Sequence, residues 1–307
     1  MGTGMIRLLQ AAVLGLAVFT SPAFAEGRVT LGWGRLFSND ATGDGQDRWR
    51  TGAYAISRVR GTSWADALPV RAGDILEFRL RAETIAPANL IAPAAGDRRY
   101  VGALSLGLHT HFDWRSHEVS LGGDLVFTGP QTGIGGFQKW AHKQLGLAAP
   151  QVLGNQLPNA VYPTLVGEIG HSYDLSSTLR LRPFGELRVG AETLVRLGGD
   201  LVFGKFGRND LMLRDATTGQ RYRGVEGSRN RGFSLTLGAD IAQVLSSAFL
   251  PSGGAADLRG QRARARAGVH WQGKTASGFY GITYLSREFD QQAEGQAVGS
   301  LSIKIRF

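Results

Sequence analysis

The feature that most constrains this chain is a two-residue apolar period held over segments of about ten residues. Leu301, Ile303, Ile305 and Phe307 alternate with Ser300, Ser302, Lys304 and Arg306. Ala263, Ala265, Ala267, Val269 and Trp271 alternate with Arg262, Arg264, Arg266, Gly268 and His270. Leu76, Phe78, Leu80 and Ala82 alternate with Glu77, Arg79, Arg81 and Glu83, and Leu179, Leu181, Leu187 and Val189 with Arg180, Arg182, Glu186 and Arg188. Successive strand side chains point to opposite faces, so each segment has one apolar and one charged side. Strands of soluble sheets run to roughly 5–6 residues, whereas a tilted strand needs about 9–11 to cross a bilayer. The segments here have the longer reach.

The start of the chain agrees. Arg7 precedes the apolar stretch Leu8 to Phe19, and Ala23-Phe24-Ala25 forms an A-x-A cleavage site. This is the pattern of a secretory signal peptide over residues 1–25, with the barrel domain over 26–307. There is no cysteine, which excludes disulfide frameworks, thiolate metal sites and cysteine nucleophiles. A terminal phenylalanine, Phe307, closes the last alternating segment, as in the C-terminal signature of bacterial outer-membrane barrels. The expected fold is all-β: a transmembrane antiparallel up-and-down barrel of about 12 strands with a short helix in an extracellular loop. The formal net charge of +9 then belongs mainly to Arg and Glu ladders inside the barrel, not to a nucleic-acid surface. Glycine, at 44 of 307 residues, about twice the usual ~7%, suits strands that bend around a crowded lumen.

Twelve strands are expected at 28–37, 49–60, 74–85, 100–112, 118–127, 162–173, 178–190, 193–204, 231–244, 262–272, 277–287 and 296–307. An even count puts both ends in the periplasm. It leaves 205–230 as an unusually long periplasmic connection, where an extra hairpin around Leu211–Leu213 and Tyr222–Val225 is the feature that would change the count.

The longest extracellular connection, 128–161, contains a helical pattern from Gly135 to Leu147, with Phe137, Trp140, Ala141 and Leu145 as its apolar stripe. Gln138 and His142 are four apart and share a face. A histidine there can act as a general base, since its pKa lies near working pH. Residue type alone equally fits a loop histidine without a role. Asn39-Asp40 and the following Gly43-Asp44-Gly45-Gln46-Asp47 offer hard oxygens for a cation such as calcium, without the spacing of an EF-hand; an ordinary turn reads the same way. His109, His111, His171 and His270 lie on strands and read as polar lumen filling. No G-x-S-x-G occurs and no serine has an evident histidine and acid partner.

Several short stretches together resemble the outer-membrane lipid A 3′-O-deacylase family. They are Asn39-Asp40, Arg50-Thr51-Gly52, Ile85-Ala86-Pro87-Ala88-Asn89, Gly96-Asp97-Arg98-Arg99-Tyr100-Val101-Gly102, Gly129-Pro130, Gln138-Lys139-Trp140-Ala141-His142 and Asn155-Gln156-Leu157. They occur in order over residues 39–157, at extracellular strand ends. The resemblance implies a calcium-dependent hydrolase of the 3′-linked acyloxyacyl chain of lipid A. In it His142 would activate water, Asn39 and Asp40 would help hold Ca2+, Thr51 would line the site and Gln138 would position groups beside His142. The family's active-site lysine has no counterpart, because no lysine occurs between Arg28 and Gln138; Arg98 or Arg99 would meet lipid A phosphate instead. The expected setting is the bacterial outer membrane, with the site facing outward, lipopolysaccharide as substrate, the barrel-assembly machinery as folding partner and a monomeric enzyme. The rival readings are an outer-membrane phospholipase, which needs a serine–histidine pair, and a non-enzymatic channel or adhesin barrel.

Overall fold

A computed structural model describes residues 27–227 and 231–305. The signal peptide expected at 1–25 and the terminal Phe307 lie outside the described residues. Among the described residues there are fifteen strands: β1 (Val29–Asn39), β2 (Trp49–Gly61), β3 (Leu76–Ala86), β4 (Val101–Trp114), β5 (His117–Thr128), β6 (Ala160–Gly170), β7 (Tyr173–Asp174), β8 (Leu179–Val189), β9 (Glu192–Phe203), β10 (Leu211–Arg214), β11 (Arg221–Val225), β12 (Gly232–Ser247), β13 (Gln261–Gln272), β14 (Ala276–Leu285) and β15 (Gln296–Ile305). One α-helix, α1 (Ile134–Leu145), lies between β5 and β6. Twelve of the strands close into an antiparallel barrel, in which β6 pairs with β8 and β1 with β15.

The alternation decides which way every strand faces. On β13, Arg262, Arg264, Arg266, Gly268, His270 and Gln272 are buried, while the residues between them are exposed. Outward go the apolar side chains that meet lipid, such as Leu165, Leu197 and Ile241. Inward go the charges, which pair because an isolated ion away from water is costly. Arg264 Nε lies 2.9 Å from Asp240 Oδ1. Arg182 bridges Glu118 at 2.7 Å and Glu168 at 2.8 Å. Arg50 bridges Glu288 at 2.7 Å and Glu83 at 3.0 Å. Two of the four histidines expected to fill the lumen join this network: His109 lies 3.1 Å from Asp124 and His111 lies 2.8 Å from Glu77. His270 is buried against the Phe206 ring, whereas His171 lies past the end of β6, on the Ser116 carbonyl.

The segment 205–230 departs from a plain periplasmic connection. Its hairpin, β10 with β11, adds nothing to the wall and folds back into the lumen. Leu213, Tyr222 and Val225 pack against Leu36, Val59 and Phe279. Arg214 reaches Glu168 at 2.7 Å and Asp200 at 2.8 Å, and Tyr222 Oη meets Ser57 Oγ at 3.1 Å. Two glycines make room for it. A Cβ on Gly34 of β1 would come within 2.9 Å of the Tyr222 ring. Gly219, at the hairpin tip, has φ +71° and would press a side chain onto the Arg264 and Arg266 guanidinium groups. The lumen is therefore filled from the periplasmic side, and the wall keeps its twelve strands.

Candidate active site

Register places the candidate residues on the outer surface of the wall. Glu83 faces inward, where it pairs with Arg50, so its neighbour Thr84 faces outward. Thr84 lies opposite Gly102 on β4 and Gly52 on β2, and Gly52 lies opposite Asn39 on β1. Asn39, Gly52, Thr84 and Gly102 thus form an outward-facing row near the extracellular ends of the first four strands. The segment after β5 folds down onto that row. A Cβ on Gly102 would fall 2.8 Å from Thr132 Oγ1 and 2.9 Å from Ile134 Cβ, and Gly135 lies over the Tyr100 ring. Hence α1 runs along the outside of the barrel.

The local sequence explains why a helix forms and ends there. Gly133 at φ +72° turns the chain into α1, and Gly146 at φ +69° turns it out, with its N–H returned to the last helical turn. Observed bounds of 134–145 replace the expected Gly135 to Leu147, since Gly146 takes the left-handed conformation that stops the helix. Gln138 and His142 occupy the buried face and are one turn apart. Phe137, Trp140 and Leu145, expected to be the packing stripe, are instead exposed.

His142 has a defined orientation. Its Nδ1 lies 2.7 Å from the Ala148 carbonyl oxygen, which can only accept, so Nδ1 carries the proton. Nε2 faces Asp47 Oδ2 at 3.0 Å, a contact that carries a proton when the ring is doubly protonated; in the neutral ring the same nitrogen holds the lone pair. Asp47 Oδ1 accepts from the Thr51 hydroxyl. Thr51 Oγ1 is also 3.2 Å from Asp40 Oδ1, and Asp40 Oδ2 accepts from the Arg48 N–H at 2.7 Å. Asn39 closes the row: its Oδ1 accepts from the Ala41 N–H at 2.8 Å and its Nδ2 donates to the Thr51 carbonyl at 2.8 Å.

Asn39, Asp40, Thr51 and His142, drawn from three separate sequence stretches, therefore meet in one chain of polar contacts, with Gln138 beside them on α1. Asp47 completes it. The sequence offers Asp47 only as one of several hard oxygens for a cation, and its link to His142 spans 95 positions, beyond any local signal.

The electrostatics of this loop are unbalanced. Burial pushes the Asp40 carboxyl up to about 8, against the Arg48 N–H and with the help of the nearby Asp47 charge. Among the described residues no Arg, Lys or His pairs with Asp40; the Arg48 guanidinium turns to Asp44 and Glu294. Asp40 and Asp47 share one hydroxyl, which has a single proton to give. Gln138 Oε1 is buried without a protein partner. Among the described residues no three His, Asp or Glu side chains converge at metal-ligand geometry. A cation here would be held by two carboxylates and neutral oxygens, a donor set that suits a hard ion such as calcium.

The two arginines part company. Arg98, expected to meet substrate phosphate, is 2% exposed and forms an ion pair with Glu288, which withdraws it from any surface ligand. Burial there would raise the Glu288 pKa, but Arg50, Arg262 and Arg98 outweigh it and keep the carboxylate well below its usual range. Arg99 is exposed at the rim, with its guanidinium on the Asn155 and Gln156 carbonyls at 3.0 and 2.7 Å.

Comparison with known proteins adds identity to this geometry. Residues 9–307 match the family model described as outer membrane protein LpxR. The solved structure of LpxR from Salmonella typhimurium aligns with a TM-score of 0.73 at 16% identity, covering 90% of this chain and 100% of that one. Two porin structures align less well. KdgM in complex with disordered oligogalacturonate has a TM-score of 0.42 at 6% identity, covering 90% of this chain and 98% of its own. The NanC porin has 0.41 at 6% identity, covering 90% and 100%. No curated protein sequence matches the chain.

Proposed function

Since the chain belongs to the LpxR family of outer membrane proteins, and so to the lipid A-modifying enzymes of that membrane, we propose that it is a lipid A 3′-O-deacylase working by histidine-activated water. The carrying observation is the position of His142, whose Nε2 meets Asp47 on the outer, lipid-facing side of the wall, where α1 lies against the first four strands. A substrate anchored in the outer leaflet reaches that side without leaving the bilayer. A lumenal site would require the whole lipid to be extracted.

The residues divide the work. Ala148 holds the Nδ1 proton of His142 and leaves Nε2 to take a proton from water. The oxygen of that water adds to the carbonyl carbon of the 3′-linked acyl ester. Collapse of the tetrahedral intermediate breaks the bond to the sugar 3′-oxygen, which receives the proton from His142. Asp47 steadies the imidazolium formed between these steps. Gln138 Oε1, buried and unpaired, is placed to accept a hydrogen bond from the bound substrate or water. Asp40, Asp47, Thr51 and the remaining lone pair of Asn39 Oδ1 would hold Ca2+, which when bound supplies Lewis-acid polarisation of the ester carbonyl. Arg99 at the rim, rather than the buried Arg98, would meet a lipid A phosphate.

Every side chain of the site comes from one copy, so a monomer suffices, folded into the membrane by the barrel-assembly machinery. The test is incubation of the purified protein with lipid A in the presence and absence of calcium. Loss of the 3′-linked acyloxyacyl unit by mass spectrometry supports the assignment; unchanged lipid A with a correctly folded barrel refutes it.

A further inference from the structure

The outer side of α1 is exposed. The helix has three distinct faces, set by a rotation of about 100° per residue. Gly135, Gln138 and His142 face the wall. Phe137 and Trp140 lie on another arc and are exposed, at 56% and 58%; Leu145, the last helical residue, is 72% exposed at the edge between that arc and the wall-facing row, about 20° from Gln138. Lys139 and Lys143 share a third, away from the apolar arc, and both are exposed. The Phe137 and Trp140 rings lie 5.6 Å apart, forming one aromatic patch. No Asp or Glu occurs in α1.

We infer that α1 is immersed in the outer leaflet, with its aromatic arc among acyl chains and its two lysines at the level of anionic headgroups. Three observations support lipid as the occupant. The helix lies on the outside of the wall, so its apolar arc continues the lipid-facing surface of the barrel. The basic arc, with no acid in the helix, complements an anionic leaflet. An apolar face with lysines on the polar side is the composition of helices that lie in a membrane interface, with the apolar side roughly 5–10 Å below the headgroup boundary. Such immersion would keep the outer side of α1 next to the acyl chains of the leaflet. The inference rests on the placement of the barrel in the outer membrane and is independent of the deacylase reading.

The chain lacks cysteine, so a single introduced thiol carries a nitroxide label at one position only. The full-length protein would be labelled in the Trp140→Cys, Leu145→Cys and Lys143→Cys variants. Each would be reconstituted in vesicles of phosphatidylethanolamine and phosphatidylglycerol, with barrel closure checked by heat-modifiable gel mobility. Collision with dissolved oxygen and with a water-soluble nickel chelate then reports depth. The expected result is severalfold lower nickel accessibility at positions 140 and 145 than at 143, with high oxygen accessibility at both. Equal nickel accessibility at 140, 145 and 143 would place the helix in water and overturn the inference. Shielding of 140 and 145 from both reagents would overturn it too, showing a protein cover such as a second copy. Failure of insertion with deacylation intact removes this inference alone, and the reverse result removes only the enzymatic one.

Discussion

Replacing Arg214 by alanine should release the lumenal hairpin, and the contacts allow a magnitude. Arg214 is the main charged tie between β10 and the wall, at 2.7 Å from Glu168 and 2.8 Å from Asp200, with its guanidinium 3.6 Å above the Phe184 ring. Breaking a buried pair by removing one partner costs about 3–5 kcal/mol, because a charge is left uncompensated. Here both acids keep a second partner, Arg182 for Glu168 and Arg266 for Asp200, so the lower end applies. The lost guanidinium–ring contact adds about 1–2 kcal/mol in a desolvated setting. The sum is about 4 kcal/mol. Urea unfolding of the vesicle-reconstituted protein, followed by intrinsic fluorescence, measures it. Arg71→Ala is the control, because the exposed Arg71–Asp74 pair at 3.9 Å is worth about 0–1 kcal/mol. Equal losses in the two variants would refute a hairpin clamped in the lumen.

Other outcomes follow from the same geometry. Gly102→Val should displace α1 through the Thr132 and Ile134 contacts and lower deacylation by about 100-fold, the scale of an ångström misplacement, while heat-modifiable mobility stays unchanged. Deletion of 208–227 should convert a non-conducting barrel into one with measurable single-channel current in planar bilayers, since those residues fill the lumen. Chelation of calcium should abolish deacylation and re-addition restore it; Asp40→Asn should not be restored by calcium, because an amide has no proton to release and cannot become the carboxylate that a cation would stabilise at this buried position.

The barrel was legible because period two is enforced residue by residue: one face must meet lipid and the other must pair its charges, as Arg262 to Trp271 demonstrate. Strand ends followed within a few residues, where turn chemistry took over. The hairpin was visible as two short apolar runs, but its direction was not. Insertion depends on Gly34 leaving space for Tyr222 and on Arg214 finding Glu168, both contacts between distant positions. The candidate site was partly legible, since Asn39, Asp40, Thr51, Gln138 and His142, singled out in the sequence, come together in the fold. Two features required the structure. Asp47 is joined to His142 only when the first loop and α1 meet. Arg98 and Arg99 are chemically alike and adjacent, yet in the irregular segment before β4 one turns inside to Glu288 and the other stays at the rim on the Asn155 and Gln156 carbonyls. The helix stripe misled for a related reason: Phe137, Trp140 and Leu145 form an apolar face without a protein partner, because the medium it faces is not water.

The most direct test of the account is the mass spectrum of lipid A from one membrane background carrying either the natural chain or its His142→Ala variant, with equal amounts of folded barrel. The account predicts lipid A lighter by the 3′-linked acyloxyacyl unit with the natural chain, and full-mass lipid A with the variant. Deacylated lipid A from both would contradict it.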